Sequence, residues 1–559
     1  MKNLHLTGAC LALLLAACGD ETTTPATATD MDAALDRITQ EGIYAHLAYL
    51  ADDKLEGRLT GEPGYDLAAK YVAEQFESIG LEPGGDDGWY QQVPLVSYLI
   101  DSDGSAFVAH RDSDDVTYAY REQFGNRGDK VRPENSVRAE VVYVGFGVHA
   151  PEHGYSDYDG VDVDGKIVAL FGNAPSTLPS DERAFYSSSR TKAKELVKRG
   201  AIGSIGLRSQ RSVDSFPWER LKKIMGLKPS MAWTSPTGAA ADYFPEIQGS
   251  VMLSVEAATD LMAGTPISFE EARAATEADT PASVPLGFEV TMQRKTGHER
   301  FESPNVIGIV RGTDTELANE YVVFTGHLDH TGIGVPVEGS DDKIFNGAYD
   351  NAMGIALMIE AARAVAANPP RRSVMFIALT GEERGLLGSD YFAHYPTVPS
   401  GSLVANVNLD MPLFLYPVAD LVGFGSEHSS LQAPMAAAAE AEGFVLSPDP
   451  LPEENLFVRS DQYSFVRRGI PASYLDVGFA STDPEVDGEA LVREHLKKHY
   501  HKPSDDLTRP VDWDSAVRFA RANARIGFAV ANADERPTWN EGNFFGERFA
   551  TGAAASGDQ

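Results

Sequence analysis

The sequence predicts an α/β protein with a second domain set into the first. From Ser303 onward, apolar runs and helical patterns alternate, which is how a sheet flanked by helices is encoded. Three of those runs stop directly at residues able to bind metal or move protons. Between about Pro133 and Thr296 the texture changes to short β-type runs broken by Gly, Asp and Pro.

At 559 residues the chain exceeds one ordinary domain and suits two or three. A hydrophobic share of 43% with 23% charged residues describes a globular protein with substantial cores. Basic residues total 47 against 82 acidic ones, a net charge of -35. Such a surface repels nucleic acid and anionic lipid, so neither is an expected partner. Acidic pockets, by contrast, hold cations.

The first residues, "MKNLHLTGACLALLLAACGDETTT", have one lysine, an apolar core and then small residues. The apolar run is too short to span a bilayer and reads as a secretory signal over residues 1–17. Leu15-Ala16-Ala17-Cys18 resembles a bacterial lipobox, which implies cleavage before Cys18 and lipid on its thiol. A plain signal peptide with a chance cysteine is the alternative. The mature chain would then carry no disulfide, because Cys10 lies in the removed segment. Residues 18–30, rich in Thr and Ala, read as a tether. Gly19 stands where an inner-membrane retention signal would have Asp, so the expected location is the cell envelope, at the outer membrane. The membrane is thus an expected partner only through the lipid on Cys18.

Residues 31–132 read as mainly helical. In "GYDLAAKYVAEQFESIG", Leu67, Ala68, Tyr71, Val72, Phe76 and Ile79 follow helical spacing, and Gly80 is a stop. Residues 133–296 read as an inserted, mainly β domain containing "RAEVVYVGFGV", "GKIVALFG" and "AIGSIGL", with a helix over "TKAKELVKRG". Residues 297–535 resume the α/β pattern and end in the helical "DSAVRFARANARIGFAVANA". Residues 536–559, with "GERFATGAAASGDQ", read as a mobile tail.

The chemistry sits at strand ends. "YVVFT" is followed by Gly326-His327-Leu328-Asp329, "SVMFIAL" by Thr380-Gly381-Glu382-Glu383, and "LVANVNL" by Asp410. Each run suits a buried parallel strand, and ligands bind at the carboxyl edge of such sheets. A helix follows "NGAYDN", with Ile355, Met358, Ile359, Ala362 and Ala366 on one face and Pro369-Pro370 as its stop. Asp350 and Asn351 stand just ahead of its first turn, and the loop "HYHKPSDD" supplies Tyr500 and His501. Singly, each motif has a bland explanation. An Asp before a helix is usually an N-cap, a loop His is usually solvated, and paired glutamates usually mark a solvated face. Glu382-Glu383 fit that last reading poorly, since they follow a buried run and precede "RGLLGS".

Together and in this order, "GHLDHTGIG", "NGAYDNAMG", "TGEERGLLGS", "NLDM" and "YHKPSDD" resemble the co-catalytic di-zinc aminopeptidases, in the zinc-exopeptidase clan that includes glutamate carboxypeptidases and the transferrin receptor. The stretch "LADDKLEGRLTGEPGYDLAAKYVAEQFESIGLEPGG" is similar to the opening segment of such enzymes, and "VYVGFGVHAPEHGYSDYDGVDVDGKIVALFGN" resembles a protease-associated (PA) domain. The resemblance implies a three-layer αβα sandwich, two Zn²⁺ per chain and peptide substrates. His327 and Asp410 would bind one zinc, Glu383 and His501 the other, and Asp350 would bridge them. Glu382 would be the general base, Asp329 would orient His327, and Tyr500 would stabilise the oxyanion. Family members hold the peptide bond after the bridging Asp in the cis form, here Asp350-Asn351. Met353 and His330 depart from the pattern, and His330 is expected to line the pocket, with competition for metal as the alternative. The resemblance also admits a glutamate-type carboxypeptidase gripping its substrate with Arg459, Arg467 or Arg468, a single-zinc glutaminyl cyclase, and a metal-free receptor-like binding protein. The complete ligand set favours the aminopeptidase.

Overall fold

The computed structural model describes Met1 and residues 28–111, 114–336 and 340–550. The signal and lipobox reading, and Cys18 with it, fall outside the described residues. Among the described residues no helix is long and apolar enough to cross a membrane.

The three runs that end in polar residues form strands Tyr321–His327, Ser373–Leu379 and Leu403–Asn408. They pair in parallel, with Tyr321–His327 in the middle, and Ala472–Val477 adds a fourth parallel strand beside Leu403–Asn408. The first three strands are buried along their whole length, as a central sheet covered on both faces requires.

Helix Gly354–Ala367 forms one cover, with Ile355, Met358, Ile359 and Ala362 fully buried. Burying each of the three larger side chains stabilises the fold by roughly 1.5–3 kcal/mol. The helix ends at Asn368, ahead of the two prolines. Helices Gln40–Leu50, Pro63–Ile79 and Trp513–Asn532 complete the same layer and share its core. Pro63–Ile79 ends where expected, because Gly80 takes the left-handed conformation at φ 92°. Leu67, assigned to its apolar face, is exposed instead. On the opposite face a second core gathers Ile307, Val323, Met375, Ile377, Leu379, Phe392 and Phe465. The mixed α/β architecture is therefore as the sequence predicts.

The domain boundaries differ from expectation. Residues 90–110 form one long strand, Tyr90–His110, which pairs antiparallel with an even longer one, Val284–Val310. Val284–Val310 pairs with Ser373–Leu379 at one end and with Glu134–Tyr143 at the other, so a single sheet runs through both domains. Alternation of exposed and buried residues from Tyr90 onward accounts for the strand; helical periodicity stops at Gly80. Phe107, Ala109, Tyr118 and Phe124 already belong to the core of the inserted domain. That domain is mixed rather than mainly β. Glu134–Tyr143, Ile167–Phe171, Gly203–Leu207 and Gly249–Leu253 form a parallel sheet, flanked by helices including Ser189–Lys198 and Phe269–Glu277. Nor are residues 536–550 a loose tail. Phe545 is fully buried against Phe457, Tyr463 and Val466, and Trp539 donates its indole N–H to Gly469 O at 2.8 Å.

Candidate metal centre

The carboxyl ends of the three central strands deliver His327, Glu382-Glu383 and Asp410 to one edge of the sheet. A buried arginine fixes the loops between them. Arg58 donates from Nε to Leu328 O at 2.9 Å, from Nη1 to Asn346 O at 2.6 Å and from Nη2 to Gly347 O at 3.0 Å, and also reaches Leu50 O. Its own carbonyl accepts the His330 N–H at 3.1 Å. One side chain thus ties the segment after His327 to the segment before Asp350.

Asp350 lies in the tight turn Ala348–Met353 that leads into helix Gly354–Ala367, and its bond to Asn351 is cis. The N–H groups of Tyr349 and Asp350 each donate to the Asp505 carboxylate at 3.1 Å. Asn351 closes the turn, donating to Leu409 O at 2.9 Å and accepting from the Gly354 and Met411 N–H groups at 3.0 and 3.1 Å. Asp410 Oδ2 accepts the Ser460 hydroxyl at 2.5 Å.

Around Asp350 two donor groups form. His327 Nε2 lies 3.2 Å from Asp350 Oδ1 and 3.0 Å from Asp410 Oδ1. His501 Nε2 lies 3.1 Å from Asp350 Oδ2 and 3.0 Å from Glu383 Oε2. The two oxygens of Asp350 thus face different histidines. All five expected ligands meet, with Asp350 between the groups.

The electrostatics of this cluster call for a cation. Among the described residues no lysine or arginine forms an ion pair with Asp350, Glu382, Glu383 or Asp410. Burial pushes the Glu383 carboxyl up, but His501 and His330 outweigh it and hold it at about 2. Burial lowers the His501 imidazole, and Glu383 and Asp350 raise it to about 11. Glu382 goes the other way. Burial, together with the charges of Asp410 and Glu383, lifts it well above the usual carboxylate range. The histidines are thus bound up with carboxylates, while Glu382 holds a proton more firmly than an ordinary carboxyl does. Convergent imidazoles and carboxylates with unsatisfied buried atoms, Glu383 Oε1 among them, are the donor set that zinc takes. The residues present fit that ion.

Asp329 differs from expectation. It is the Asp329 backbone carbonyl that meets His327 Nδ1, at 3.1 Å, while its carboxylate accepts the Glu382 N–H at 3.0 Å. Tyr500 stacks on His501 with ring centroids 3.9 Å apart. Of the arginines a carboxypeptidase would use, Arg467 is bound to Asp390 at 2.8 Å and Arg459 to Glu454 at 3.2 Å. Sequence reasoning singled out neither Arg58 nor Ser460. Both lie far along the chain from the groups they hold, and no spacing rule links them. Asp505 stood inside a noted motif, and its place after the His501 loop was the available signal.

The sequence profile of peptidase family M28 matches residues 305–526. A probable zinc metalloprotease of Pyrenophora tritici-repentis (strain Pt-1C-BFP) is 26% identical over 258 residues, covering 42% of this chain and 58% of that protein. One from Pyrenophora teres f. teres (strain 0-1) is 30% identical over 270 residues, covering 41% and 52%. The chain spans about half the length of the curated relatives it matches. Among solved structures, the aminopeptidase from Aneurinibacillus sp. strain AM-1 shares the fold, with a TM-score of 0.50 at 19% identity over 90% of this chain and 97% of that one. The matched stretch contains His327, Asp350, Glu382, Glu383, Asp410 and His501, so the segment that builds the cluster is the segment the profile describes. The likeness to peptidase family M28 thus lies in residues 305–526 of this chain.

Proposed function

We propose that the chain is a zinc metallopeptidase, an aminopeptidase that removes N-terminal residues from peptides using two Zn²⁺ per chain. The observation that carries this reading is the pair of donor groups sharing Asp350, with Glu382 beside them. His327, Asp350 and Asp410 would hold one ion, and Asp350, Glu383 and His501 the other. When bound, the zinc pair lowers the pKa of water and polarises the scissile carbonyl.

The chain's own groups do the rest. The Glu382 carboxylate takes a proton from the attacking water and delivers it to the amine as the C–N bond breaks. Its raised pKa suits that task, because a base that binds its proton poorly transfers none. Asp329 holds the Glu382 backbone at the pocket edge. Tyr500, fixed against His501, donates to the developing oxyanion. The inserted domain reads as a PA domain that roofs the cleft. In support, its strand Ser230–Trp233 packs on the Glu382–Arg384 turn, and Lys228 Nζ donates to Thr331 O at 2.9 Å. Export on a lipid anchor at Cys18, to the outer membrane, completes the reading and rests on the first residues alone.

The test is a panel of aminoacyl-nitroanilides and short peptides with free or blocked amino termini, with and without chelator. Chelator-sensitive release from free amino termini alone is expected. Hydrolysis of blocked peptides from their carboxyl ends would overturn the aminopeptidase assignment and favour a carboxypeptidase.

A further inference from the structure

We propose that His330 is a direct ligand of the metal held by Asp350, Glu383 and His501, so that the two ions sit in unequal sites. This rests on reading the cluster as a metal centre.

His330 is wholly buried, and neither ring nitrogen has a hydrogen-bond partner. An imidazole in that state costs about 1–3 kcal/mol unless something satisfies it. Its Nδ1 points into the cluster, 2.8 Å from Glu383 Oε1 and 3.8 Å from Asp350 Oδ2. Glu383 Oε1 is also without a hydrogen-bond partner, so the two atoms face each other closely but out of hydrogen-bond alignment. That is how two donors look when a third atom belongs between them.

Donors at about 2.0–2.1 Å from one tetrahedral zinc lie about 3.3 Å from one another. The separations from His330 and His501 to the two carboxylates, 2.8, 3.8, 3.1 and 3.0 Å, bracket that value. The two imidazoles approach at 71° with centroids 5.6 Å apart, so they meet the carboxylates from different directions. The backbone holds the ring in this place. The His330 N–H is bound to Arg58 O, and the ring lies against Gly347, where any β-carbon would come within 2.6 Å of it. Gly347 also has φ +58°, so both space and conformation require glycine there.

The consequence is asymmetry. His327, Asp350 and Asp410 supply three donors and leave a tetrahedral ion one position for substrate or water, whereas Asp350, Glu383, His330 and His501 supply four. Glu382 belongs with the open site, since Asp329 joins it to His327, accepting the Glu382 N–H on its carboxylate and meeting His327 Nδ1 with its carbonyl. The filled site holds and orients. The open site would leave room for substrate beside the Glu382 base.

The experiment measures zinc per chain after dialysis of purified, zinc-loaded full-length protein against a series of chelator concentrations. Wild type is expected to lose its two ions in separated steps. In His330→Ala the more tightly held ion should leave at a chelator concentration lower by about ten-fold or more, since even supporting residues around a metal are worth that much. Unchanged release in His330→Ala would overturn the proposal while leaving the two-metal reading intact. A wild-type chain that takes up no zinc would overturn both. Should His330→Ala fail to fold, the crystal structure of the zinc-loaded wild type decides. Nδ1 of His330 at about 2.1 Å from a zinc is expected, and a gap above about 3 Å, longer than any zinc–nitrogen bond, would refute it.

Discussion

Asp329 and Glu382 are joined through the backbone: the glutamate N–H donates to Asp329 Oδ1 at 3.0 Å. The two residues stand at the ends of adjacent parallel strands, so the aspartate sets how far the glutamate turn stands from His327. Asp329→Ala should therefore let the Glu382 carboxylate drift. A displacement near 1 Å costs about 10²-fold in rate, with little change in KM or zinc content. Steady-state kinetics beside metal analysis checks this, and a variant with full kcat would show that Glu382 needs no such support.

Glu382 itself has no role in holding metal on this account. Glu382→Gln should keep both zinc ions and lose about 10²–10⁴-fold in kcat. Metal analysis and turnover on the same sample separate the two effects. Loss of zinc from the variant would make Glu382 a ligand instead.

Arg58 binds four carbonyls in three segments that frame the site. Burial lowers its guanidinium to about 10, still charged at neutral pH. Arg58→Met leaves several buried carbonyls without a donor, at about 1–3 kcal/mol each. Denaturant unfolding should show a loss of at least about 3 kcal/mol, and the variant should also bind zinc less tightly.

Asp390 clamps the inserted domain to the sheet domain. It accepts from Arg190 at 3.0 Å, Trp233 Nε1 at 3.0 Å and Arg467 at 2.8 Å. Burial pushes its carboxyl up, but Arg190 and His394 outweigh that and hold it well below the usual range. A carboxyl with a lowered folded-state pKa stabilises the fold above its unfolded pKa and loses that contribution as pH falls. Asp390→Asn should cost about 3–5 kcal/mol, constant from about pH 5 to pH 8 and shrinking below about pH 4, where the unfolded carboxyl protonates. Denaturant unfolding of wild type and variant across pH checks both the size and the window.

Much of the sheet domain was legible because its strands are continuous apolar runs and its helices, Leu67 apart, keep an apolar face at helical spacing. Tyr321–His327 and Ser373–Leu379 stand where the sequence put them, and all five expected ligands meet at the edge those strands define. The boundary near residue 132 was not legible. Strands Tyr90–His110 and Val284–Val310 belong to both domains, and no local signal marks a strand as shared. The tail was misread because Phe545 becomes buried only through contact with Phe457 and Tyr463, some 80 residues earlier. His330 was visible as a departure from the family pattern, but its aim at Glu383 depends on Arg58 and Gly347 together, which only the fold brings into contact.

The central claim is that Asp350 serves two metal ions at once. Zinc analysis of the purified chain and of Asp350→Ala, dialysed side by side against metal-free buffer, tests it most directly. The account predicts two zinc ions per wild-type chain and fewer than one in the variant. A variant that keeps both ions, or a wild type that binds none, would contradict it.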